Sequence, residues 1–120
     1  MYQKAKYFND NDIMEEILQT DDPSEIKALG RKVSNYEGIY WNGIRQIVVY
    51  KGLHAKFTQN DGLKQKLIET GDAVLVECAY NDRIWAIGMS IDDENKSDIS
   101  KWRGENLLGY SLMMVRETLK

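Results

Sequence analysis

The chain is poor in the residue types that most often build metal sites and disulfide frameworks. A single cysteine, Cys78, excludes an internal disulfide framework and any zinc site made of several cysteines. A single histidine, His54, excludes a histidine-rich metal site and all but removes the commonest general base. The only proline is Pro23, and no Pro/Ser/Gly-rich tract marks a linker. No apolar run approaches the ~18 residues of a membrane-spanning helix. The opening MYQKAKYFND lacks the hydrophobic stretch of a signal peptide. No internal repeat is present, and no Gly-rich phosphate loop, GxSxG, HExxH or CxxC occurs. These absences point to a reduced, cytoplasmic protein without membrane attachment.

What remains is an ordinary globular composition. The chain has 120 residues, 42% hydrophobic and 29% charged, enough for one domain with a single sizeable core. Acidic residues number 19 and basic residues 16, for a formal charge of −3. The basic residues divide evenly between the two halves, and the acidic excess lies after residue 60. Such a balance is no footprint for general nucleic-acid binding.

The pattern along the chain is mostly helical. Residues 1–9 have helical composition but no capping residue. In 12–19, Ile13, Ile17 and Leu18 share one side. Asp22-Pro23-Ser24-Glu25 has a cap, a proline suited to the first turn and a capping-box spacing, so a helix is expected from Pro23 to about Lys32. The longest helix is expected within 37–57, with Ile44, Ile47, Val48 and Ala55 on one face. Asn60 caps a further helix over about 61–69, with Leu63 and Leu67 inward, and Gly71 stops it. Residues 73–79 (AVLVECA) and 83–89 (RIWAIGM) read as two strands joined at Tyr80-Asn81-Asp82, an antiparallel hairpin. The polar stretch 91–100 reads as a solvated loop, and 104–119 as a last helix with Leu108, Leu112, Val115 and Leu119 on one stripe. The expected fold class is α+β, mostly helical, a single domain with a small antiparallel sheet.

Chemistry-bearing candidates are few. Cys78, in an apolar strand, reads as a small core residue, and His54 as a surface or capping residue. Asp82 sits at a tight turn three residues before Trp85, where it is either a turn-forming side chain or a functional carboxylate. Glu77 lies in an apolar strand and must point outward or find a partner. Trp41, Trp85 and Trp102 are core residues or walls of a pocket for a flat ring.

Several stretches taken in order resemble one family. They are ALGRKV at 28–33, Trp41 with a downstream arginine, HAKFTQN at 54–60, LIETGDAVLVE at 67–77, Asp82-Arg83-Ile84-Trp85-Ala86-Ile87-Gly88, and WRGENLLGYSLMMVRETL at 102–119. Together they resemble the NADAR, or YbiA-like, family. The opening Tyr2-Gln3-Lys4-Ala5 is similar to that family's Y-x-Q-x-KA region, which normally follows an N-terminal segment with an F-x-NF motif and a glutamate. Neither precedes it here, so the resemblance describes one YbiA-like domain over 1–120, N-terminally truncated relative to the family. Ala86 stands where the family usually has glycine.

The resemblance implies a hydrolase that cleaves an N-glycosidic bond to ribose through a lysine Schiff base, with no cofactor and no metal. The implied substrate is ADP-ribose-like or a ribose phosphate: a riboflavin-pathway intermediate or an ADP-ribosylated guanine, the latter making ADP-ribosylated nucleic acid a further partner. Lys4 occupies the position of the Schiff-base lysine and Asp82 that of its partner carboxylate. Trp41 and Trp85 would wall the pocket, Lys56, Arg103 and Arg116 would meet phosphates, and Asn106 and Gly109 would form an anion site at the start of the last helix. The alternative is a non-catalytic module that binds ADP-ribose or a nucleotide but has lost turnover with the N-terminal segment. A third reading is association with another chain to complete the fold.

Overall fold

The structure is a computed structural model that describes every residue from Met1 to Lys120. Six α-helices form: α1 (Tyr2–Tyr7), α2 (Asn11–Leu18), α3 (Pro23–Gly30), α4 (Gly38–Gln59), α5 (Asp61–Glu69) and α6 (Leu107–Leu119), with a single 3-10 turn at Ile99–Lys101. The chain divides into two compact units, Met1–Val48 and Val49–Lys120.

In the first unit α1, α2 and α3 pack on one another. The buried core is Ala5, Phe8, Ile13, Ile17 and Val33, with Tyr2, Met14, Ile26, Leu29 and Trp41 packed against it. Ala5/Phe8 and Ile13/Ile17 follow the i, i+3 and i, i+4 spacings that put side chains on one helix face. Each buried side chain of Ile or Phe size contributes roughly 1.5–3 kcal/mol. Asp10 caps α2: its carboxylate accepts from the Ile13 amide at 3.1 Å. Asp22 caps α3 by accepting from the Ser24 amide at 2.9 Å, with Pro23 in the first turn as expected. Glu25 does not close a capping box; it accepts from the Thr20 hydroxyl at 2.6 Å.

α4 contributes its residues through Val48 to the first unit and the rest to the second. None of its 22 residues is fully buried. Ile44, Val48 and Ala55 are half-buried, whereas Ile47 is 55% exposed, so the expected apolar stripe is only partly covered.

In the second unit α5 packs on α6, and Leu67, Ala86, Ile87, Met89 and Val115 are buried. α5 stops at Thr70, followed by Gly71 in the left-handed region at φ 61°.

The expected antiparallel sheet does not form: the fold is all-helical with irregular segments, not α+β. The reason lies in where the main-chain hydrogen bonds go. Only one main-chain bond, Ile87 amide to Glu77 carbonyl at 3.0 Å, joins 73–79 to 83–89. The side-chain amide of Asn106 takes the Glu77 amide and the Leu75 carbonyl, both at 3.0 Å, and Arg116 takes the Ala73 carbonyl at 2.8 Å. The carbonyls of 83–87 are taken by amides of the loop before α6 and of its first turn: Glu105 to Arg83, Leu107 to Ile84, Leu108 to Trp85, Asn106 to Ala86 and Arg103 to Ile87, at 2.9–3.1 Å. The backbone of 73–79 is met mainly by the Asn106 and Arg116 side chains, not by a neighbouring strand. The same bonds delay the last helix, which starts at Leu107 and not at residue 104.

Candidate functional site

In the first unit the relevant side chain is Lys4, the third residue of α1. It is half-buried. Its Nζ donates to the Gly30 carbonyl at the end of α3 at 2.8 Å and lies 4.7 Å from the centre of the Tyr36 ring. Burial pushes the Lys4 pKa below the ordinary lysine value of 10.5. The amine therefore loses its proton more readily than a free lysine, which a nucleophilic lysine requires. Phe8 stands behind this group. Its ring centre is 5.4 Å from Tyr36, 6.0 Å from Tyr40 and 6.4 Å from Trp41. Lys4 and Trp41 are thus linked through one aromatic cluster, with Trp41 half-buried at its edge.

In the second unit Asp82 forms the turn before Trp85. Its Oδ1 accepts from the Ile84 amide at 2.9 Å and the Trp85 amide at 2.8 Å. Both Asp82 and Trp85 are half-buried. The turn bends 83–86 out of a strand path and delivers their carbonyls to the loop before α6. Ala86, where the resemblance expects glycine, is completely buried and its carbonyl accepts from Asn106. Asn106 is completely buried at φ 52°. Both ends of its side-chain amide are engaged on 75–77, Oδ1 accepting from the Glu77 amide and Nδ2 donating to the Leu75 carbonyl. Gly109 sits under it: a Cβ there would overlap the Leu75 carbonyl and the Asn106 amide. Gly104 is equally confined by the Ala86 carbonyl and Arg83. The G-x-N-x-x-G spacing of 104–109 therefore has a packing cause.

Asp82, Trp85, Arg103, Asn106 and Gly109 are brought together in this loop network. Arg103 is exposed, with its amide bonded to the Ile87 carbonyl. Lys56 is exposed on α4, its Nζ 5.8 Å from the Phe57 ring centre. Arg116 stands apart: it is 4% exposed and donates through Nη1 to the Thr70 hydroxyl at 2.9 Å and the Ala73 carbonyl at 2.8 Å. It clasps the end of α5 to α6.

Surface depressions also lie elsewhere, among them the following two. One, of about 430 Å³, runs between α2 and α3 beside Glu16, Glu25 and Leu29. The other, of about 460 Å³, is lined by Val74, Val76, Cys78, Ile91 and Ile99. Cys78 is half-buried at that groove, and His54 is half-buried beside Tyr50 on α4. No group of three or more His, Cys, Asp or Glu residues is placed to hold a metal ion, and no helix is long and apolar enough to cross a membrane.

Two contributors escaped sequence reasoning. Asp10 was visible as a capping residue three before Ile13. Tyr36 carried no pattern of its own, because its place over Lys4 depends on the turn at Asn35, which is left-handed at φ 60°.

The NADAR domain family model matches residues 1–120. The curated N-glycosidase R617 of Acanthamoeba polyphaga mimivirus is 37% identical over 117 residues, 98% of this chain and 69% of that protein. Protein irg-1 of Caenorhabditis elegans is 39% identical over 121 residues, covering 99% of this chain and 57% of its own length. N-glycosidase YbiA of Escherichia coli (strain K12) is 34% identical over 118 residues, 98% of this chain and 67% of that protein.

Proposed function

The chain belongs to the NADAR family, and on that premise we propose that it is a hydrolase cleaving the N-glycosidic bond between a base and ribose in an ADP-ribose-like or ribose-phosphate substrate. Relatives named N-glycosidases match 98% of this chain, which supports the reaction class. The observation that carries the lysine mechanism is the state of Lys4: a half-buried amine, held at one place and pushed toward its neutral form.

In this reading the neutral Nζ attacks C1 of the ribose. The C1–N bond to the base breaks, and the base leaves with a proton. The ring opens and a protonated Schiff base joins Nζ to C1. Water then adds at C1, the C–N bond to Lys4 breaks, and free sugar and the amine are restored. Asp82 is assigned the proton movements at the ribose. Trp41 and Trp85 are assigned to flat rings of the substrate, and Lys56 and Arg103 to its phosphates.

The test is reductive trapping. The chain is incubated with ribose 5-phosphate or ADP-ribose and cyanoborohydride, and the intact mass and modified peptide are read. An adduct on Lys4 that Lys4→Ala abolishes, together with release of base from an N-glycoside, is the expected result. Binding by calorimetry with neither adduct nor turnover would replace the enzyme with an ADP-ribose-binding module. Riboflavin-pathway ribosides and ADP-ribosylated guanine are the two substrate arms to compare.

A further inference from the structure

We propose that Tyr36 is the positioning residue of Lys4, its ring and the Gly30 carbonyl together holding the lysine nitrogen at the place from which it meets the sugar carbon. The proposal rests on the lysine reading above and adds to it a residue outside the motifs that carry the resemblance.

The geometry has three parts. First, Lys4 is a flexible side chain with much rotamer freedom to lose. Here it makes two directional contacts at its tip: 2.8 Å to the Gly30 oxygen and 4.7 Å to the Tyr36 ring centre. The Gly30 carbonyl belongs to the last turn of α3, where helix carbonyls lack an intrahelical partner and the local potential is negative. The ring face adds a cation–π contact from another direction.

Second, the ring is itself held. Phe8, buried, lies 5.4 Å behind it. Val33 is buried in the core, and the Ser34 amide and hydroxyl both donate to Asp10, at 2.8 and 2.9 Å. Asn35 then turns the chain at φ 60° and brings Tyr36 over α1. Asp10, Ser34 and Phe8 fix the ring before Lys4 is considered.

Third, Tyr36 is not in place merely to fill the core. It is 49% exposed, and its phenol makes no hydrogen bond to another residue. The groups that face Lys4 are the Gly30 carbonyl from α3, the Tyr36 ring from the following loop and, just ahead of its own helix, the amino group of Met1, which burial and the Lys4 charge push below 8.0. No carboxylate pairs with Lys4. The ammonium is therefore stabilised only by a carbonyl and a ring, contacts that orient the nitrogen without locking its proton in place as a buried ion pair would.

The test compares the full chain with Tyr36→Leu and Tyr36→Phe in the trapping reaction with ribose 5-phosphate. In Tyr36→Leu the adduct on Lys4 should form at least about tenfold more slowly at saturating sugar, with the half-saturating concentration changed less than about threefold; Tyr36→Phe should restore the rate. The ε-methylene of Lys4 should show an upfield ring-current shift in the NMR spectra of the unmutated and Tyr36→Phe chains, and lose it in Tyr36→Leu. An adduct forming as fast in Tyr36→Leu, a Tyr36→Phe chain as slow as Tyr36→Leu, or an unshifted ε-methylene in the unmutated chain overturns this proposal and leaves the lysine reading standing. No adduct on Lys4 in the unmutated chain overturns both.

Discussion

Asp10 and Ser34 are joined twice, the Asp10 carboxylate accepting from both the amide and the hydroxyl of Ser34 while it also caps α2 through the Ile13 amide. One acidic side chain thus ties the loop after α3 to the start of α2, and that loop carries Tyr36.

The amide of Ser34 first, and then that of Ile13, hold the Asp10 pKa below its ordinary 3.8. A lowered folded-state pKa contributes stability above the unfolded value and loses it as pH falls through the folded value. The acid unfolding of the chain should therefore have a component that sets in as pH nears 3.8 from above and grows below it, and Asp10→Asn should flatten it. Urea midpoints at a series of acidic pH values check this; equal pH dependence in the two chains would contradict it.

Lys4 has the opposite sign. Its folded pKa lies below 10.5, so the unfolded chain takes up the proton first as pH falls from that value. The folded state is penalised below the window and relieved as pH rises through it. Relative to Lys4→Met, the unmutated chain should gain stability as pH rises through the window and level off above pH 10.5. Direct titration of the Lys4 ε-methylene by NMR should give a midpoint below 10.5, and one at or above it would refute the assignment.

Asp82→Asn separates the two roles of that residue. Asparagine retains the Oδ1 that accepts from Ile84 and Trp85, so the turn should survive with stability changed by less than about 0.5 kcal/mol. If the carboxylate moves protons, base release should fall by roughly 10²–10⁴. Full activity in Asp82→Asn would leave the carboxylate as a turn former only.

The glycines divide by what a methyl group would meet. Gly109→Ala would press on the Leu75 carbonyl and the Asn106 amide, and should cost about 1–3 kcal/mol. Gly52→Ala, inside α4 with open space around it, should stabilise by about 0.5–1 kcal/mol. Thermal melts of the two variants should move in opposite directions.

Much of the helical frame is legible in the residues themselves. Asp22-Pro23 and Gly71 punctuate α3 and α5 where local chemistry decides, whereas the Asn60 side chain makes no cap bond to α5 and donates to the Lys56 carbonyl instead. Ile13 and Ile17 mark the buried face of α2. The sheet expected over 73–79 and 83–89 fails for a physical reason: β-rich composition reports which residues suit a strand, not what their backbone bonds to. In 73–77 the partner is the Asn106 side chain, roughly 30 residues away, which no local pattern announces. Residue type suggests phosphate for Asn106 and Arg116, whereas in the fold both are buried and bond to 70–77, Asn106 through its amide and Arg116 through Nη1. Lys4 was legible only through the resemblance, since a lysine near the start of a short helix has no distinguishing periodicity.

The Asn106 amide also sets an order of events in refolding. Helical bonds close across four residues, whereas its two bonds close loops of 29 and 31 residues. They can form only once the left-handed turn ahead of α6 has set. In pulse-labelling during refolding, the Glu77 amide should gain protection after the amides of α5 and α6, so that 73–77 is the last segment of its unit to become ordered.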